Sequence, residues 1–467
     1  MHLSSPTSLN RASLRAKVAA VIACAAAATP LAASALPVLP QAAGYGMDTP
    51  AGRGGDVIRV TNLNASGAGS LRACVEASGP RVCVFDVSGV IRTTTDIIVT
   101  NPYVTIAGQT APSPGIMIRG AALHVMTSHV LVQHIRVRAG DASDGPDQNN
   151  RDALKISSPT PISNIVIDHC SFSWATDENV SLWSSWDNVT LSNNIISEGL
   201  FWQPEENHRS GYGLLIGPRE SRVTVIGNLL AHNRERNPLT RSKQFVFVNN
   251  VVYNNRSTAL DLQSEHGIVT NNTVIGNVFI RGADTLDDFK SINVRSDDAF
   301  GLPSSSKVYV LDNASADLTA GNDWSVVGNR DGSVASTLKA SLPPTWPSGL
   351  TRLPTSSNVV LDNVLKYSGA RPADRDPVDT RVVKSVRDRT GRVITCVAAN
   401  GTSYCSKNAG GWPTLAQNTR VLALPANHKE VTPSGYTRLE LWLHELAAKV
   451  EGRPAQPPSA PVLASDR

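Results

Sequence analysis

The sequence predicts an all-β solenoid of the parallel β-helix type, and three observations lead to this fold class. Short apolar runs with alternating side chains, each closed by a polar pair that is mostly asparagine, recur along the chain. Asn228, Asn250 and Asn272 follow one another at steps of 22 residues, and a fixed period in this range marks a solenoid. Hydrophobic residues make up 41% of the chain but aromatic residues only 5%, which suits many short strands better than a helix bundle.

The repeated runs are predicted to be the strands of successive coils. They lie at residues 101–109, 130–134, 165–169, 189–194, 223–228, 245–250, 268–272 and 308–313. Identical amides on stacked strands hydrogen-bond into a ladder, so the asparagines that close these runs should stack. The blades of a β-propeller need a period about twice as long, and a β-sandwich gives no reason for asparagines in register. We therefore set both alternatives aside.

The N-terminal residues 1–35 have the pattern of a secretory signal peptide. Basic residues precede an apolar run at 18–28, and small residues at 33–35 form a cleavage site. Cys24 faintly matches a lipoprotein box, but it lies too early in the apolar run. Removal of this segment takes away three of the 43 basic residues and leaves 40 against 39 acidic ones. The mature chain has no global basic field for nucleic acid, and we expect a secreted, extracellular monomer that does not bind a membrane.

Five cysteines follow the signal peptide. Cys74 and Cys83 enclose a short loop, and so do Cys396 and Cys405. Because export to an oxidising space permits disulfides, the sequence predicts the bridges Cys74–Cys83 and Cys396–Cys405. Cys170 is then expected to be a buried free thiol, and no spacing in the chain resembles a zinc site.

The two ends of the solenoid are expected to be covered. A strand at 57–60, a short helix at 70–76 and a strand at 82–87 open the fold, and the helix caps the first exposed edge. The repeat loosens after about residue 329, so residues 330–452 should pack onto the solenoid as part of one domain that spans 36–452. Residues 381–386 and the Cys396/Cys405 loop are predicted to be extended chain.

The last predicted element is a helix at residues 437–450. Its apolar residues, among them Leu439, Trp442 and Leu443, recur with helical spacing and should pack against the barrel. Beyond Gly452 the chain is rich in Pro, Ala and Ser, so residues 453–467 are expected to be disordered.

One charged loop, residues 234–241, is the first candidate for a binding or catalytic site. It carries three arginines with one acid, Glu235. Pro238 has no backbone donor and disfavours a helical Asn237, so the segment should form a loop between strands. Crowded guanidinium groups suit a polymer that bears many carboxylates, because each can form a bidentate pair. A solvated basic turn is the alternative.

Acidic residues on neighbouring coils are the second candidate. Long insertions at 139–151, 197–222 and 281–305 should cluster on one side of a solenoid and form a cleft. Asp152 lies on one coil, and Asp177 and Glu178 lie on the next. Calcium prefers several carboxylate or carbonyl oxygens, and stacking of the coils would gather them. The acids at 141, 144 and 147 are instead expected to be solvated.

These motifs together resemble the secreted pectate lyases of polysaccharide lyase family 1. The resemblance runs in order over most of residues 40–450. It rests on the sequences at 52–55, 69–72, 85–89, 104–109, 167–169 and on the Arg-x-Pro-x-x-Arg of 236–241. It implies a right-handed parallel β-helix that cleaves polygalacturonate, a (1→4)-α-D-galacturonan, by calcium-assisted β-elimination and releases 4,5-unsaturated oligogalacturonides.

The resemblance also implies roles for individual residues. Arg236 matches the catalytic base, and Arg241 matches a second arginine that binds substrate. Asp152 and Asp177 match calcium ligands. A nearby cation, either calcium or Arg234, would lower the pKa of the base from about 12.5–13.8 to about 9–10, which implies an alkaline optimum.

The sequence departs from the family pattern at two places. Ser181 stands where an aspartate ligand is usual, so calcium should be held more weakly unless Glu178 replaces that ligand. The lysine that commonly neutralises the substrate is missing before Leu215, and His208 and Arg209 are the candidates to replace it.

Three other functions stay open at this point. A pectin lyase, which acts on methylated pectin without calcium, would use an aromatic cleft, and Trp183, Trp186 and Trp202 allow one. A β-helix hydrolase would need clustered carboxylates as acid and base, and we find no such cluster beside a Gly-His-Gly turn. A non-catalytic carbohydrate-binding β-helix would have no need for the three-residue arrangement of Arg236, Pro238 and Arg241.

Overall fold

The computed structural model describes five stretches of the chain. They are residues 36–202, 210–329, 333–354, 358–396 and 410–454. The predicted signal peptide, nearly all of the predicted disordered tail, His208, Arg209 and Cys405 lie outside them. The predicted bridge between Cys396 and Cys405 is therefore outside the described residues.

Parallel strands stacked coil upon coil form the body of the protein. In chain order the strands are β1 (Asp56–Val60), β2 (Arg81–Phe85), β3 (Gly89–Arg92), β4 (Ile97–Val99), β5 (Val104–Ala107), β6 (Ile116–Arg119), β7 (Leu123–Val125), β8 (Val130–Gln133), β9 (Ile135–Arg138), β10 (Leu154–Asp168), β11 (Ser171–Ser173), β12 (Glu178–Ser192), β13 (Ile195–Ser197), β14 (Phe201–Trp202), β15 (Tyr212–Ile226), β16 (Leu229–Ala231), β17 (Leu239–Val248), β18 (Val251–Tyr253), β19 (Leu260–Leu262), β20 (Asn271–Ile275), β21 (Val278–Ile280), β22 (Ile292–Val294), β23 (Lys307–Leu311), β24 (Val327–Gly328) and β25 (Thr395–Cys396).

The helices stand at the two ends of the chain. They are α1 (Leu71–Glu76), α2 (Val359–Tyr367), α3 (Pro377–Asp388) and α4 (Arg438–Glu451).

Each coil has three walls. One sheet of 15 strands supplies two of them and a sheet of eight strands the third. The larger sheet bends and so forms a first and a second wall. The first half of β10 lies in the first wall and pairs with β7, Leu154 opposite Leu123. Its second half lies in the second wall and pairs with β8, Ile165 opposite Val130. The long strands β10, β12 and β15 therefore run through two walls each. This architecture confirms the parallel β-helix that the sequence predicts.

The core is a set of apolar columns that run along the axis of the coils. Register places one column on the second wall, and all six of its members are fully buried: Val104, Val130, Ile165, Val189, Val223 and Phe245. β-Branched and aromatic side chains pack well on a pleated surface, and burial of each stabilises the fold by about 1.5–3 kcal/mol. The alternation seen in the sequence is therefore the inside–outside alternation of these walls.

An asparagine ladder follows the second wall, but one predicted member is wrong. The stacked amides belong to Asn194, Asn228, Asn250, Asn277 and Asn313, and each Nδ2 donates to the Oδ1 of the next at 2.9–3.0 Å. Asn272 lies instead in β20, opposite Phe245, and its amide donates to Thr270 Oγ1. The predicted strand at 268–272 is correspondingly displaced, because the paired residues are those of β20.

The N-terminal cap agrees with its prediction. Ser70 caps α1 by accepting a hydrogen bond from the backbone N–H of Ala73. Leu71 is fully buried in the main core, so the helix covers the first coil. The disulfide between Cys74 and Cys83 joins this helix to β2, and Cys170 is a buried free thiol, as expected.

The C-terminal segment corrects one prediction and confirms another. Residues 381–386, predicted to be extended, lie within α3, which Asp376 caps. The carboxylates of Asp376 and Asp379 pair with the buried guanidinium of Arg138 at 2.8 and 2.9 Å. This tertiary contact favours a helix that the local sequence did not lead us to predict.

Helix α4 forms where the sequence predicts a helix. Thr437 and Glu440 form a reciprocal capping box at its start. Leu439 and Leu443 pack on the outer face of the first coils, against Val82. Within the described residues, no helix has the length and apolar character needed to cross a bilayer.

Candidate active site

The site is a column of polar side chains at the beginning of the strands of the first wall. Glu178 opens β12, and it lies opposite Tyr212, which opens β15. Tyr212 in turn bridges to Glu235 on the next coil. On the other side, the N–H of Ala153 donates to the carbonyl of Glu178. Parallel pairing therefore stacks residues 152, 178, 212 and 235–236 although they are far apart in sequence.

Three carboxylates meet at the end of this column that is nearest the N-terminal coils. One oxygen each from Asp152, Asp177 and Glu178 lies within 4.8 Å of the others, so the structure brings together the three acids that the sequence singles out. Asp152 is held in place, because its Oδ1 accepts from the Glu178 N–H at 3.1 Å and its Oδ2 from the Ser181 hydroxyl at 2.5 Å. Ser181 thus orients an acid of the cluster and adds no charge to it.

The carboxylate cluster is electrostatically strained. Burial, followed by repulsion from Asp177, raises the pKa of Asp152 to about 7. Both causes disfavour the ionised form. The side chain of Glu178 is only 5% exposed, so little water reaches it to screen the repulsion. Such a group of carboxylates gains from any cation that binds to it.

Arg236 lies directly beside the carboxylates. Its Nη1 donates to Glu178 Oε1, and its guanidinium covers the ring of Tyr212 at 3.6 Å from the centroid. The backbone is left-handed at Arg236, with φ at 62°, and its carbonyl accepts from the Leu214 N–H at 2.6 Å. The loop thus turns the side chain toward the preceding coils and fixes it there.

Burial lowers the pKa of Arg236 to about 10. The positive charge of Arg241 lowers it further, whereas the negative charge of Asp177 raises it. The lowering agrees with the sequence-based expectation, but its main cause differs. Arg234, which we expected to contribute, pairs with Glu235 and stacks on Phe201 at 4.9 Å.

Arg241 projects from β17 next to Arg236 and is held from three sides. Its Nε donates to Gln263 Oε1 at 3.0 Å, its Nη1 lies 3.2 Å from Glu265 Oε2, and its guanidinium covers the ring of Phe300 at 4.3 Å. Its side chain is only 15% exposed. This arginine is therefore oriented before any ligand arrives.

A cavity of about 210 Å³ connects the two arginines with residues that sequence reasoning missed. Its walls include Asp261, Gln263, Arg295 and Phe300 besides Arg236 and Arg241. Asp261 lies opposite Leu239 of the preceding coil and Asn293 of the next. Only the register of the coils brings these residues to the site, because no motif surrounds them. The alignment of successive strands is the one sequence signal that could have located them.

A larger groove lies at the bend where β10, β12 and β15 pass from one wall to the next. It has a volume of about 890 Å³, and it is lined by Trp183, Trp186, Pro218, Glu265 and His266, among others. Trp183 is 45% exposed. Glu265 also contacts Arg241, so the groove lies next to the arginine cavity. The side chain of Trp202 is outside the described part of the protein.

Of the three acids at 141, 144 and 147 that were predicted to be solvated, Asp141 contradicts the prediction, because it is buried. Asp144 and Asp147 are exposed, as predicted. Asp144 pairs with Arg92 at 2.5 Å, and Asp147 caps a short 3-10 turn over Gln148–Asn150. His208 and Arg209 lie in the stretch 203–209, which the structure does not describe, so their predicted role stays a prediction.

The fold and this site define a class of protein, a right-handed β-helix that presents a half-buried arginine to a group of carboxylates. The family model described as right handed beta helix region matches residues 148–302, the segment that contains the site. Curated relatives then specify the family. The probable pectate lyase C of Aspergillus flavus is 33% identical over 431 residues, which cover 88% of this chain and 94% of the relative. The protein of the same name from Emericella nidulans is 39% identical over 222 residues, 47% of this chain and 48% of the relative.

The chain therefore belongs to the pectate lyase family, and it is a polysaccharide lyase. Solved structures of similar fold include a mutant pectate lyase from Bacillus subtilis. It is 14% identical, covers 72% of this chain and 98% of that chain, and has a TM-score of 0.47.

Proposed function

We propose that this protein cleaves polygalacturonate, the (1→4)-α-D-galacturonan of pectin, by calcium-assisted β-elimination and releases 4,5-unsaturated oligogalacturonides. One observation carries the proposal: the guanidinium of Arg236, with a pKa lowered to about 10, adjoins three carboxylates that gather within 4.8 Å. Elimination next to a uronate needs a base and a means to neutralise the uronate charge. The names of the relatives support the same substrate.

Calcium fits the carboxylate cluster by its donor set. Asp152, Asp177 and Glu178 offer only carboxylate oxygens, the ligands that calcium prefers. Burial and repulsion from Asp177 raise the pKa of Asp152 to about 7, and a bound cation would offset both. Glu178 takes the ligand position that Ser181 leaves vacant in the family pattern. Calcium held by these residues would neutralise the carboxylate of a bound uronate and so make its C5 proton more acidic.

Arg236 acts as the base in this mechanism. At a pKa of about 10, roughly a thousandth of the guanidinium is deprotonated at neutral pH. The neutral guanidine takes the C5 proton, the electron pair of that C–H bond forms the C4–C5 double bond, and the C4–O bond breaks. The glycosidic oxygen leaves with the electron pair and receives a proton from water. The ring of Tyr212 beneath the guanidinium keeps its plane in place during the transfer.

Arg241 and Arg295 bind the uronate carboxylates. Both line the cavity of about 210 Å³ that Arg236 also lines, and guanidinium groups pair with carboxylates in bidentate fashion. Arg295 thereby takes part of the role of the lysine that is missing from the family pattern. His208 and Arg209 remain further candidates for that role.

Pectin lyase activity is the second candidate, and the tryptophan groove favours it. Trp183 and Trp186 give this groove apolar walls that suit methyl-esterified uronates. A pectin lyase has no use for three gathered acids, however, and their presence favours the calcium-dependent reaction on free uronates. A non-catalytic binding protein would in turn have no use for the lowered pKa of Arg236.

The test is the growth of ultraviolet absorbance on polygalacturonate, since elimination creates a double bond conjugated with the carboxylate and hydrolysis creates none. We expect product with calcium and none in excess chelator. Arg236→Lys should form product about 10³-fold more slowly, while the matched control Arg438→Lys, at an exposed arginine paired with Glu430, should retain full activity. Product formed equally well in chelator and preferentially from methylated pectin would replace the proposal by the pectin lyase alternative. Binding without product would leave the non-catalytic one.

Secretion belongs to the same proposal. Pectin is an extracellular polymer, and residues 1–35 have the pattern of a signal peptide. Sequencing of the N-terminus of the protein recovered from culture medium should begin close to residue 36. A full-length protein retained in the cytoplasm would contradict this.

A further inference from the structure

A second cluster of ionisable side chains lies at the other end of β10, away from the carboxylates that precede this strand. His134 follows β8, His169 follows β10 and Glu451 ends α4. Two successive coils and the C-terminal helix therefore meet at this point. Neither the proposed mechanism nor substrate binding uses any of the three residues.

The donor atoms of the three side chains converge. Glu451 Oε1 lies 3.6 Å from His134 Nε2, and Glu451 Oε2 lies 3.5 Å from His169 Nε2. All three residues supply a donor atom within 4.8 Å of the others. The side chains are 0%, 4% and 10% exposed for His134, His169 and Glu451. The cluster is thus enclosed by protein.

In each imidazole, Nδ1 lies on the outside of the cluster and Nε2 faces into it. The hydrogen bond at Nδ1 determines whether Nε2 carries a proton. His134 Nδ1 donates to the carbonyl of Ala370 at 2.8 Å, and His169 Nδ1 donates to Asp168 Oδ2 at 2.8 Å. Asp168 is a committed acceptor, because Gln133 Nε2 also donates to it, at 2.9 Å. When a ring is neutral and carries its proton on Nδ1, its Nε2 lone pair faces the carboxylate of Glu451. Metal-binding histidines have the same outer contacts with a carbonyl or a carboxylate.

The inner nitrogens lack any hydrogen-bond partner within the described part of the chain. His134 Nε2 and His169 Nε2 are both buried and unsatisfied. Their distances to Glu451 exceed the 2.7–3.2 Å of an N–H···O hydrogen bond, so an imidazole–carboxylate hydrogen bond does not explain them. A buried polar atom without a partner costs about 1–3 kcal/mol. A cation bound between the three side chains would satisfy both nitrogens.

The two separations between a histidine nitrogen and a Glu451 oxygen match those of a tetrahedral metal ion. Zinc binds histidine nitrogens at about 2.0–2.1 Å and carboxylate oxygens at about 2.0–2.2 Å, which puts neighbouring ligand atoms roughly 3.3–3.5 Å apart. The separations of 3.5 and 3.6 Å between nitrogen and oxygen need little adjustment. Two imidazoles with one carboxylate are also a donor set that zinc uses.

We propose that His134, His169 and Glu451 bind a zinc ion that clamps α4 to two coils of the β-helix. The site is distinct from the carboxylate cluster in donor chemistry: nitrogen-rich donors suit zinc, and the oxygen-only cluster suits calcium.

The ion has a route to the cluster. A cavity of about 420 Å³ is lined by Glu451, His444, Tyr367, Arg453 and Gln41, among others. It opens beside the carboxylate, so that a water from this side can complete the tetrahedron. Arg453 is the cation nearest Glu451, with Nε 3.5 Å from Oε2, but its guanidinium stacks on Tyr367 at 4.0 Å. It therefore leaves the inner side of Glu451 open.

Cobalt is the most direct probe, because its visible absorption distinguishes a tetrahedral site from an all-oxygen octahedral one. The full chain is stripped with a chelator and titrated with Co²⁺, then with Zn²⁺ in competition. We expect one equivalent with intense tetrahedral bands, displaced by zinc. Weak octahedral bands alone, or no binding, would overturn the proposal. This measurement uses the unmodified protein, so it does not depend on whether a variant folds.

Variants then assign the ligands. Glu451→Gln is nearly isosteric and should weaken zinc binding by at least about 100-fold, as should His169→Ala. His428→Ala, at a histidine outside the cluster, and Asp177→Asn, in the carboxylate cluster, should keep the full zinc stoichiometry. Zinc binding that survives Glu451→Gln and His169→Ala but disappears in Asp177→Asn would assign the metal to the carboxylate cluster and refute this site.

The clamp also has a thermal signature that is independent of catalysis. A ligand that binds only the folded state raises the melting temperature, so zinc should stabilise the unmodified protein and leave Glu451→Gln unchanged. Lyase activity of Glu451→Gln should persist. Loss of the zinc site and loss of the proposed function therefore give different results.

Discussion

The two ends of β12, β15 and β17 carry opposite kinds of side chain. At their C-terminal ends, Asn194, Asn228 and Asn250 repeat one residue, and each amide is buried and hydrogen-bonded to the next coil. At their N-terminal ends, Glu178 and Arg236 belong to a group of unlike charged residues.

The charges at the N-terminal end are poorly compensated. Asp152 and Arg236 both have pKa values displaced toward neutrality by burial. A ladder of identical amides satisfies itself, whereas three gathered acids repel one another, and Arg236 pairs with one of them, Glu178. The strands thus gain stability at their C-terminal ends and lose part of it at their N-terminal ends, where we propose that the chemistry takes place.

Replacement of Arg236 gives the largest expected effect and the clearest separation of the two ends. Arg236→Lys should lower the rate of elimination by about 10³-fold, the usual range for removal of a general base, because a lysine lacks the planar group that stacks on Tyr212 and reaches Glu178. Initial rates on polygalacturonate measure this, and urea unfolding should show little change. An active variant would remove Arg236 from the chemistry.

The pH dependence of activity should follow the same guanidinium. A base must be deprotonated to act, so the rate should rise about tenfold per pH unit and level off above the pKa of Arg236, about 10. Rates of the calcium-loaded enzyme measured from pH 6 to 11 test this. A profile that is flat from pH 5 to 10 would contradict it.

A substitution in the asparagine ladder should lower the stability of the protein and leave its activity unchanged. Asn250→Ala leaves the buried N–H of Asn228 without its acceptor and removes the amide contacts to Val225 and Asn277. We expect a loss of about 3 kcal/mol in the free energy of unfolding and unchanged activity below the melting temperature. Asn272→Ala is the matched control at an asparagine outside the ladder, and it should cost less. Equal costs would deny the ladder its special role.

The sequence pattern placed Asn272 in the ladder instead of Asn277, and this error shows how far the sequence could predict the fold. Asn272 continues the step of 22 residues, yet the ladder uses Asn277. The residue before each ladder asparagine is left-handed, and both Gly227 and Gly276 adopt this conformation, with φ at 70° and 67°. The Ile-Gly-Asn that ends in Asn277 repeats the one that ends in Asn228. Turn geometry, rather than a constant period, identifies the member that stacks.

The site was predictable only where a motif marked it. Asp152, Asp177 and the two arginines of the Arg-x-Pro-x-x-Arg stood out by resemblance, and Glu178 by its place beside Asp177. The structure places all five on adjoining coils. Arg295 reaches the same cavity from a later coil, and nothing in its neighbourhood indicates this. Insertions of unequal length separate the coils, so register can be read only after folding.

The smallest expected effect concerns the stability that the charged end gives up. The pKa of Asp152 is raised to about 7 in the folded protein, against about 3.9 in an unfolded chain. The folded state therefore prefers the protonated form. Ionised Asp152 thus lowers the free energy of unfolding. This loss is absent below pH 4, grows between about pH 4 and pH 7, and is complete above that range. Asp152→Asn removes this loss while an amide oxygen can still accept from the Glu178 N–H.

Thermal melts in chelator and in calcium, at pH 4 and pH 8, test this. In chelator at pH 8, Asp152→Asn should melt about 2–4 °C above the unmodified protein, and at pH 4 the two should coincide. Calcium should raise the melting temperature of the unmodified protein at pH 8 more than that of the variant, because the variant has lost one anionic ligand. Ser181→Ala is the control, since it removes the hydroxyl that Asp152 accepts from but keeps the charge. If Asp152→Asn were less stable than the unmodified protein at both pH values, Asp152 would be a stabilising residue, and the contrast between the two ends of the strands would fail.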